Sequence, residues 1–260
     1  MVSKQNSHSF KELRMQSKKI IRELAKTLKN VELLLDKYFS NVQNDNQDFV
    51  RKINTGAFVA KILEINIEFL KEFSKIYGKS FTSAITISRS IFELHLIFVE
   101  AISSEINFLE LMVRTNLANE SFIDKFLQIA AEKGDMIAMN ALMDEHVRIG
   151  LLRKKYEKML NFKSKKQLSG YHKFRKLAKK ANLLDVYNIE YNILSSFIHP
   201  SLMYITSTKP RDKTISKEMR ERAEFNVESR KKVVEKLAIN VAFGMSLKTN
   251  SKAIEILNQY

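Results

Sequence analysis

Cysteine is absent from this 260-residue chain, so neither a disulfide framework nor a thiolate metal site can form. Proline occurs twice and glycine six times, too rarely for the many turns of a β-rich or doubly wound α/β fold. No run of about 18 apolar residues exists to cross a membrane as a helix. The nearest, Phe81 to Ile102, is interrupted by Arg89, Glu93, His95 and Glu100 and reads as a buried helix. Met1 to Ser9 is polar and has no apolar h-region, so no secretory signal is expected there and a cytoplasmic location is the default. There is no Gly-rich phosphate loop, no His-Glu-x-x-His and no nucleophile elbow, which argues against the common NTPase, zinc-protease and hydrolase classes. No cofactor and no metal are expected.

What is present is helical period over nearly the whole length, and it predicts an all-α helical bundle. Phe10 to Val42 predicts a long amphipathic helix with Leu13, Ile20, Ile21, Leu24, Leu28, Val31, Leu34 and Leu35 on its apolar face. Ile53 to Tyr77 predicts a second helix, ended by Gly78. A third, capped by Ser80 or Thr82, is expected from Phe81 to about Asn116 and is apolar nearly all round, as a central helix would be. Shorter helices are expected over Asn119–Lys133, Tyr171–Ala181 and Tyr187–His199. One over Asp135–Leu160 is expected to turn Met136, Met139, Leu142, Met143, Val147 and Leu151 inward. A last helix from Ser216 to about Lys248 is expected to bury Val227, Val233, Val234, Leu237, Val241 and Met245. We divide the chain into an N-terminal helical extension, 1–52, and a bundle, 53–260.

The formal net charge is +15, from 44 Lys and Arg against 29 Asp and Glu. Such an excess attracts phosphate backbones or an acidic partner protein. It is concentrated between Arg148 and Lys180, where Glu157 is the lone acid and Lys165, Lys166, Lys179 and Lys180 form two cationic pairs. Tyr156, Phe162, Tyr171, His172 and Phe174 are interleaved with the cations. Basic residues mixed with aromatics suit single-stranded nucleic acid, whose bases stack while its phosphates pair. The competing reading is a solvated connector with its aromatics packed in the core.

Two further patterns carry chemistry. At about 100° per residue, Asn188, Tyr191, Asn192, Ser195 and His199 fall on one stripe of a helix. Pro200 follows and ends it, so His199 is placed at the last turn, where the helix terminus favours an imidazolium. Ile189, Ile193, Leu194, Phe197 and Ile198 fall on the other side. On the expected central helix, Arg89 and Glu93 are four residues apart and share a face. Among Ile85, Ile91, Phe92 and Leu96, charges are costly unless paired or functional. Either they form a structural ion pair or Glu93 holds Arg89 toward a cleft. Arg89, Glu93 and His199 are expected to meet in space, each polar face satisfying the other. His95 reads as a satisfied core histidine.

Arg-x-x-x-Glu on a central apolar helix, followed about 100 residues later by Tyr-x-x-x-Ser-x-x-x-His-Pro-Ser, resembles a widespread bacterial domain family of unknown function, which in turn resembles the HEPN superfamily. The matching residues are Arg89, Glu93, Tyr191, Ser195, His199 and Ser201. The resemblance implies a helical bundle that dimerises. It also implies a phage-defence or toxin–antitoxin protein acting on RNA, as a metal-independent endoribonuclease. In that reading His199 is the base or acid, Arg89 stabilises the charged phosphorane, and Glu93 orients Arg89. Tyr191, Asn192, Ser195 and Ser201 hold phosphate or ribose. The superfamily's usual motif is an Arg and a His separated by four to six residues. Here the Arg positions before His199 are Leu194, Ile193 and Asn192. Without that cation, a non-catalytic nucleic-acid- or protein-binding module in a defence complex stays open as the alternative, and so does a purely structural helical subunit.

Overall fold

The computed structural model describes residues 2–40, 47–160, 173–198 and 217–259. Among them every element is helical and no strand occurs. In chain order the helices are α1 (Val2–Phe39), α2 (Gln47–Ile76), α3 (Phe81–Ser103), α4 (Glu105–Lys133), α5 (Met136–Met159) and α6 (Phe174–Lys180). The short α7 (Leu184–Val186) runs through a π-helical turn, Tyr187–Tyr191, into α8 (Asn192–Ile198), and the long α9 (Lys217–Leu257) follows. None of these helices is long and apolar enough to cross a membrane. The chain groups into two compact units, one of residues 1–98 with 182–260, the other of residues 99–181.

In the first unit α1 packs along α2 and α9. The approach of α1 to α2 is close at Gly56, where an added Cβ would lie 2.8 Å from Leu35 Cδ2. Leu24 and Val31 of α1, Leu63, Leu70 and Phe73 of α2, and Val234 and Val241 of α9 are all buried. Burying each such side chain contributes about 1.5–3 kcal/mol against the entropy of ordering the chain. On α1 the expected face is buried at Leu13, Ile20, Leu24, Val31 and Leu35 and half-buried at Ile21, Leu28 and Leu34. On α9 the expected face holds at Val227, Val234, Val241 and Met245, while Val233 is exposed. From Ile87 to Ile102 no residue of α3 is exposed, as its all-round apolar composition requires.

Helices α1 and α2 begin earlier than expected, at Val2 and Gln47, and two further boundaries differ for a visible reason. The expected helix to Asn116 breaks early, at Ser104, whose backbone is extended (φ −165°, ψ 159°) and whose hydroxyl accepts from the Asn107 amide. This cap starts α4, which then runs without interruption to Lys133. Asn116 does not stop it, because its side-chain amide donates to the Met112 carbonyl inside the same helix at 2.7 Å. At the far end α9 continues past Lys248, because Ser246, Thr249 and Asn250 are buried with partners.

Those partners form a polar seam. The Ser246 hydroxyl donates to Asn66 Oδ1 of α2 at 2.7 Å. Thr249 Oγ1 lies 2.9 Å from His95 Nδ1 of α3. Asn250 Oδ1 accepts from the Thr27 hydroxyl of α1 at 2.7 Å. Just over one turn of α9 thus touches three other helices through hydrogen bonds that exist in only one register.

In the second unit α4 and α5 form an antiparallel hairpin. Gly134 adopts φ 66°, a left-handed conformation that ends α4, and Asp135 Oδ1 accepts from the Ala138 amide to start α5. The inward face expected of α5 holds only at Met139 and Leu142, which are half-buried. Met136, Met143, Val147 and Leu151 are exposed, and Ile149 is the buried residue of this helix. A helix with apolar residues on more than one side gives no single answer to periodicity, and the hairpin contact selects the side with Ile149.

His95 yields a pH prediction. Burial, with the Lys248 charge nearby, lowers its pKa from 6.5 to about 4. Thr249 donates its proton to the Met245 carbonyl, so neutral His95 donates through Nδ1. The unfolded chain takes up the imidazole proton below pH 6.5, whereas the folded chain resists until about pH 4. Stability therefore falls as pH drops through that window, by about 3 kcal/mol from this group. Urea melts at pH 7 and pH 4.5 should show a smaller pH loss in His95→Gln than in the wild type. Equal losses would contradict it.

Candidate functional site

The charges on α3 find their counterpart on the Tyr187–Tyr191 turn. Arg89 Nη2 lies 3.3 Å from Glu93 Oε1, a long contact for the pair on its own. The Tyr191 hydroxyl sits closer to both. It accepts from Arg89 Nη2 at 2.8 Å and donates to Glu93 Oε1 at 2.6 Å. The phenol ring is itself held in place. Tyr187 stacks on it at 4.8 Å between centroids, Phe92 lies at 5.3 Å, and the guanidinium carbon of Arg89 is 4.9 Å from the ring centre. Burial, with the Glu93 carboxylate adding to it and Arg89 opposing, keeps the Tyr191 phenol above its ordinary pKa. It therefore remains a donor to Glu93 at neutral pH.

The turn explains which residues of the expected stripe join this cluster. A π-helical turn advances fewer degrees per residue than an α-helix, so a stripe drawn at uniform period breaks across it. Asn188 and Asn192 are exposed, and the Asn192 side chain donates to the Asn188 carbonyl of its own helix at 3.2 Å. Ile189, expected on the apolar side, is exposed as well. Ser195 lies one turn beyond Tyr191, and its hydroxyl oxygen is buried without a hydrogen-bond partner among the described residues. Arg89 Nε is buried in the same condition. Leu194 and Phe197 pack inward as expected. Phe197 meets Phe81 edge-on at 5.8 Å, so the C-terminal end of α8 lies beside the start of α3. His199, Ser201, Lys165 and Lys166 fall outside the described residues.

The basic stretch is less uniformly available than its composition implies. Arg148 is paired with Glu145, and Arg153 is clamped by Glu120 at 2.9 Å and Glu157 at 2.7 Å. Lys180 meets Glu100 at 2.6 Å. Lys154, Lys155, Lys158 and Lys179 remain exposed on α5 and α6. The polar stripe expected to meet the Arg89–Glu93 face does so through Tyr191, a residue to which the resemblance gives phosphate or ribose. Tyr187 and Tyr191, two tyrosines at i,i+4, are the signal of a stacked aromatic pair that could have pointed to this contact. Among the described residues no group of three or more His, Asp or Glu could hold a metal ion.

The cluster separates two single substitutions by sign. Tyr191→Phe strands a half-buried guanidinium and carboxylate and should cost about 1–3 kcal/mol. Ser195→Ala removes a hydroxyl without a described partner and should leave stability within about 0.5 kcal/mol or raise it. Guanidinium melts of the two variants check this, and a Ser195→Ala loss as large as that of Tyr191→Phe would contradict it.

No curated protein and no solved structure matches this chain. A family model does match, over residues 76–214, more than half of the chain. The matched span contains Arg89, Glu93, Tyr191 and Ser195 of the cluster, together with His199 and Ser201. The chain belongs to the family of unknown function DUF5677.

Proposed function

We propose that this protein acts on RNA as a HEPN-like defence or toxin protein, a metal-independent endoribonuclease whose proton-transfer group is His199 and whose electrostatic group is Arg89. The observation that carries the reading is the Arg89–Tyr191–Glu93 contact, made between motifs about 100 residues apart. Tyr191 and Ser195 sit on successive turns of the run that leads to His199. Arg89 Nε is buried without a partner among the described residues, while the side chain as a whole stays partly exposed beside Tyr191.

In this reading the ribose 2′-oxygen attacks the adjacent phosphorus. Its proton leaves to a base, the bond to the 5′-oxygen breaks, and that oxygen takes up a proton. The products are a 2′,3′-cyclic phosphate and a 5′-hydroxyl. His199 handles one of the two protons. Arg89 stabilises the negative charge that builds on the phosphorane, and Glu93 and Tyr191 hold the guanidinium in position. Exposed Lys155 and Lys179 draw in the phosphate backbone, with a contribution that weakens with salt. Two copies act together as a homodimer.

A second reading is favoured by one specific observation. Leu194, Ile193 and Asn192 occupy the positions where the superfamily's usual Arg would stand. On this reading the same cluster fixes helix packing, and the protein binds nucleic acid or an acidic partner protein without cutting.

Incubating fluorescent single-stranded RNA with wild type, His199→Ala and Arg89→Ala separates the two, with folding of each variant confirmed by circular dichroism. The enzyme reading predicts cleavage by the wild type and a loss of about 100-fold or more in each variant. Equal cleavage in all three, or none in any, removes it.

A further inference from the structure

Helix α5 exposes more large apolar side chains than it buries. Ile149 is its buried residue, while Met136, Ile137, Met143, Val147 and Leu151 range from 53% exposed at Met143 to 85% at Ile137. The side of α5 that faces α4 is marked by three residues. These are Ile149, Arg153 on Glu120 at 2.9 Å, and His146 on Asp124 at 3.1 Å. At about 100° per residue, Val147 and Leu151 lie on the opposite side, away from the hairpin contact. Asp144 lies on that outer side before them, and Lys154 and Lys158 after them.

This order is self-complementary when reversed. An acid precedes the apolar centre and cations follow it. A second α5 laid antiparallel therefore sets Val147 against Leu151 of the other copy and Asp144 against Lys154 of the other copy. The two-fold axis repeats both contacts. Antiparallel helices also oppose their macrodipoles favourably. A nucleic acid suits this face poorly, because its centre is apolar and is flanked by a carboxylate. A symmetric partner covers the apolar centre and pairs Asp144 with Lys154 at once.

We propose that α5 is the surface through which two copies of this chain pair, antiparallel about a two-fold axis between Val147 and Leu151. The two α4–α5 hairpins then lie side by side, the α5 helices at the centre and an α4 on each flank, with Val147 and Leu151 closed between the copies. This rests on the two-copy arrangement named above and on nothing about RNA, so its test reads mass rather than cleavage.

The test uses the full chain in sedimentation equilibrium. Wild type should sediment at twice the chain mass. Asp144→Lys sets lysine against lysine across both repeats, and Lys154→Asp sets aspartate against aspartate. Each should weaken dimerisation about tenfold or more. In an equimolar mixture of the two variants every cross-copy contact becomes Lys against Asp, so the dimer should return. Both residues are exposed, and circular dichroism of each variant confirms the fold. A monomeric wild type overturns the proposal, whether the stripe is bare, covered by another segment of the chain or reserved for a different protein. So does a dimer indifferent to both charge changes, or a mixture that fails to restore association.

Discussion

A guanidinium and a carboxylate in the apolar interior of a bundle are tolerable only while their hydrogen-bonding groups are met. On α3 that condition is satisfied from outside the helix. Arg89 and Glu93 are 3.3 Å apart, and the Tyr191 hydroxyl comes closer to each than they come to one another. The phenol converts a loose i,i+4 pair into a three-membered network. It also ties α3 to the turn that leads into α8, and so sets where Ser195 and the end of α8 stand against α3. The proposed chemistry draws on this placement, since the side chain offered to RNA is one the fold already needs to hold.

The same economy recurs along α9. Ser246, Thr249 and Asn250 are polar residues inside the core, and each is answered by one residue of a different helix. Apolar contacts tolerate sliding by a turn, whereas these bonds do not. The first unit therefore has an apolar core that supplies the driving force and polar contacts that select the register. The α4–α5 hairpin is organised differently. Its two helices are bridged by Arg153 on Glu120 and His146 on Asp124, and most of the large apolar side chains on α5 face outward.

Much of the fold could be read from the sequence because α1, α2 and α3 carry clear apolar faces. Leu13, Ile20, Leu24, Val31 and Leu35 are buried where the period places them. Reading failed where periodicity was ambiguous or interrupted. On α5, methionines and aliphatics lie on more than one side, and only the tertiary contact decides which is inner. At Ser104 a single cap outweighed the apolar continuity around it. Across Tyr187–Tyr191 the π-helical turn changed the angular step and moved Asn192 away from the cluster. Arg89 and Glu93 were found because charges are conspicuous in an apolar helix. The sharing of Tyr191 between them was not, since a hydroxyl leaves no comparable mark in a pattern.

The central claim is that Arg89 and Tyr191 act as one unit joining α3 to the Tyr187–Tyr191 turn. A double-mutant cycle on folding stability with Arg89→Met, Tyr191→Phe and the pair tests it most directly. The account predicts a coupling of about 1–2 kcal/mol, with the double variant losing clearly less than the sum of the single losses. Strictly additive losses would contradict it, because they would mean that the hydroxyl and the guanidinium contribute to the fold independently.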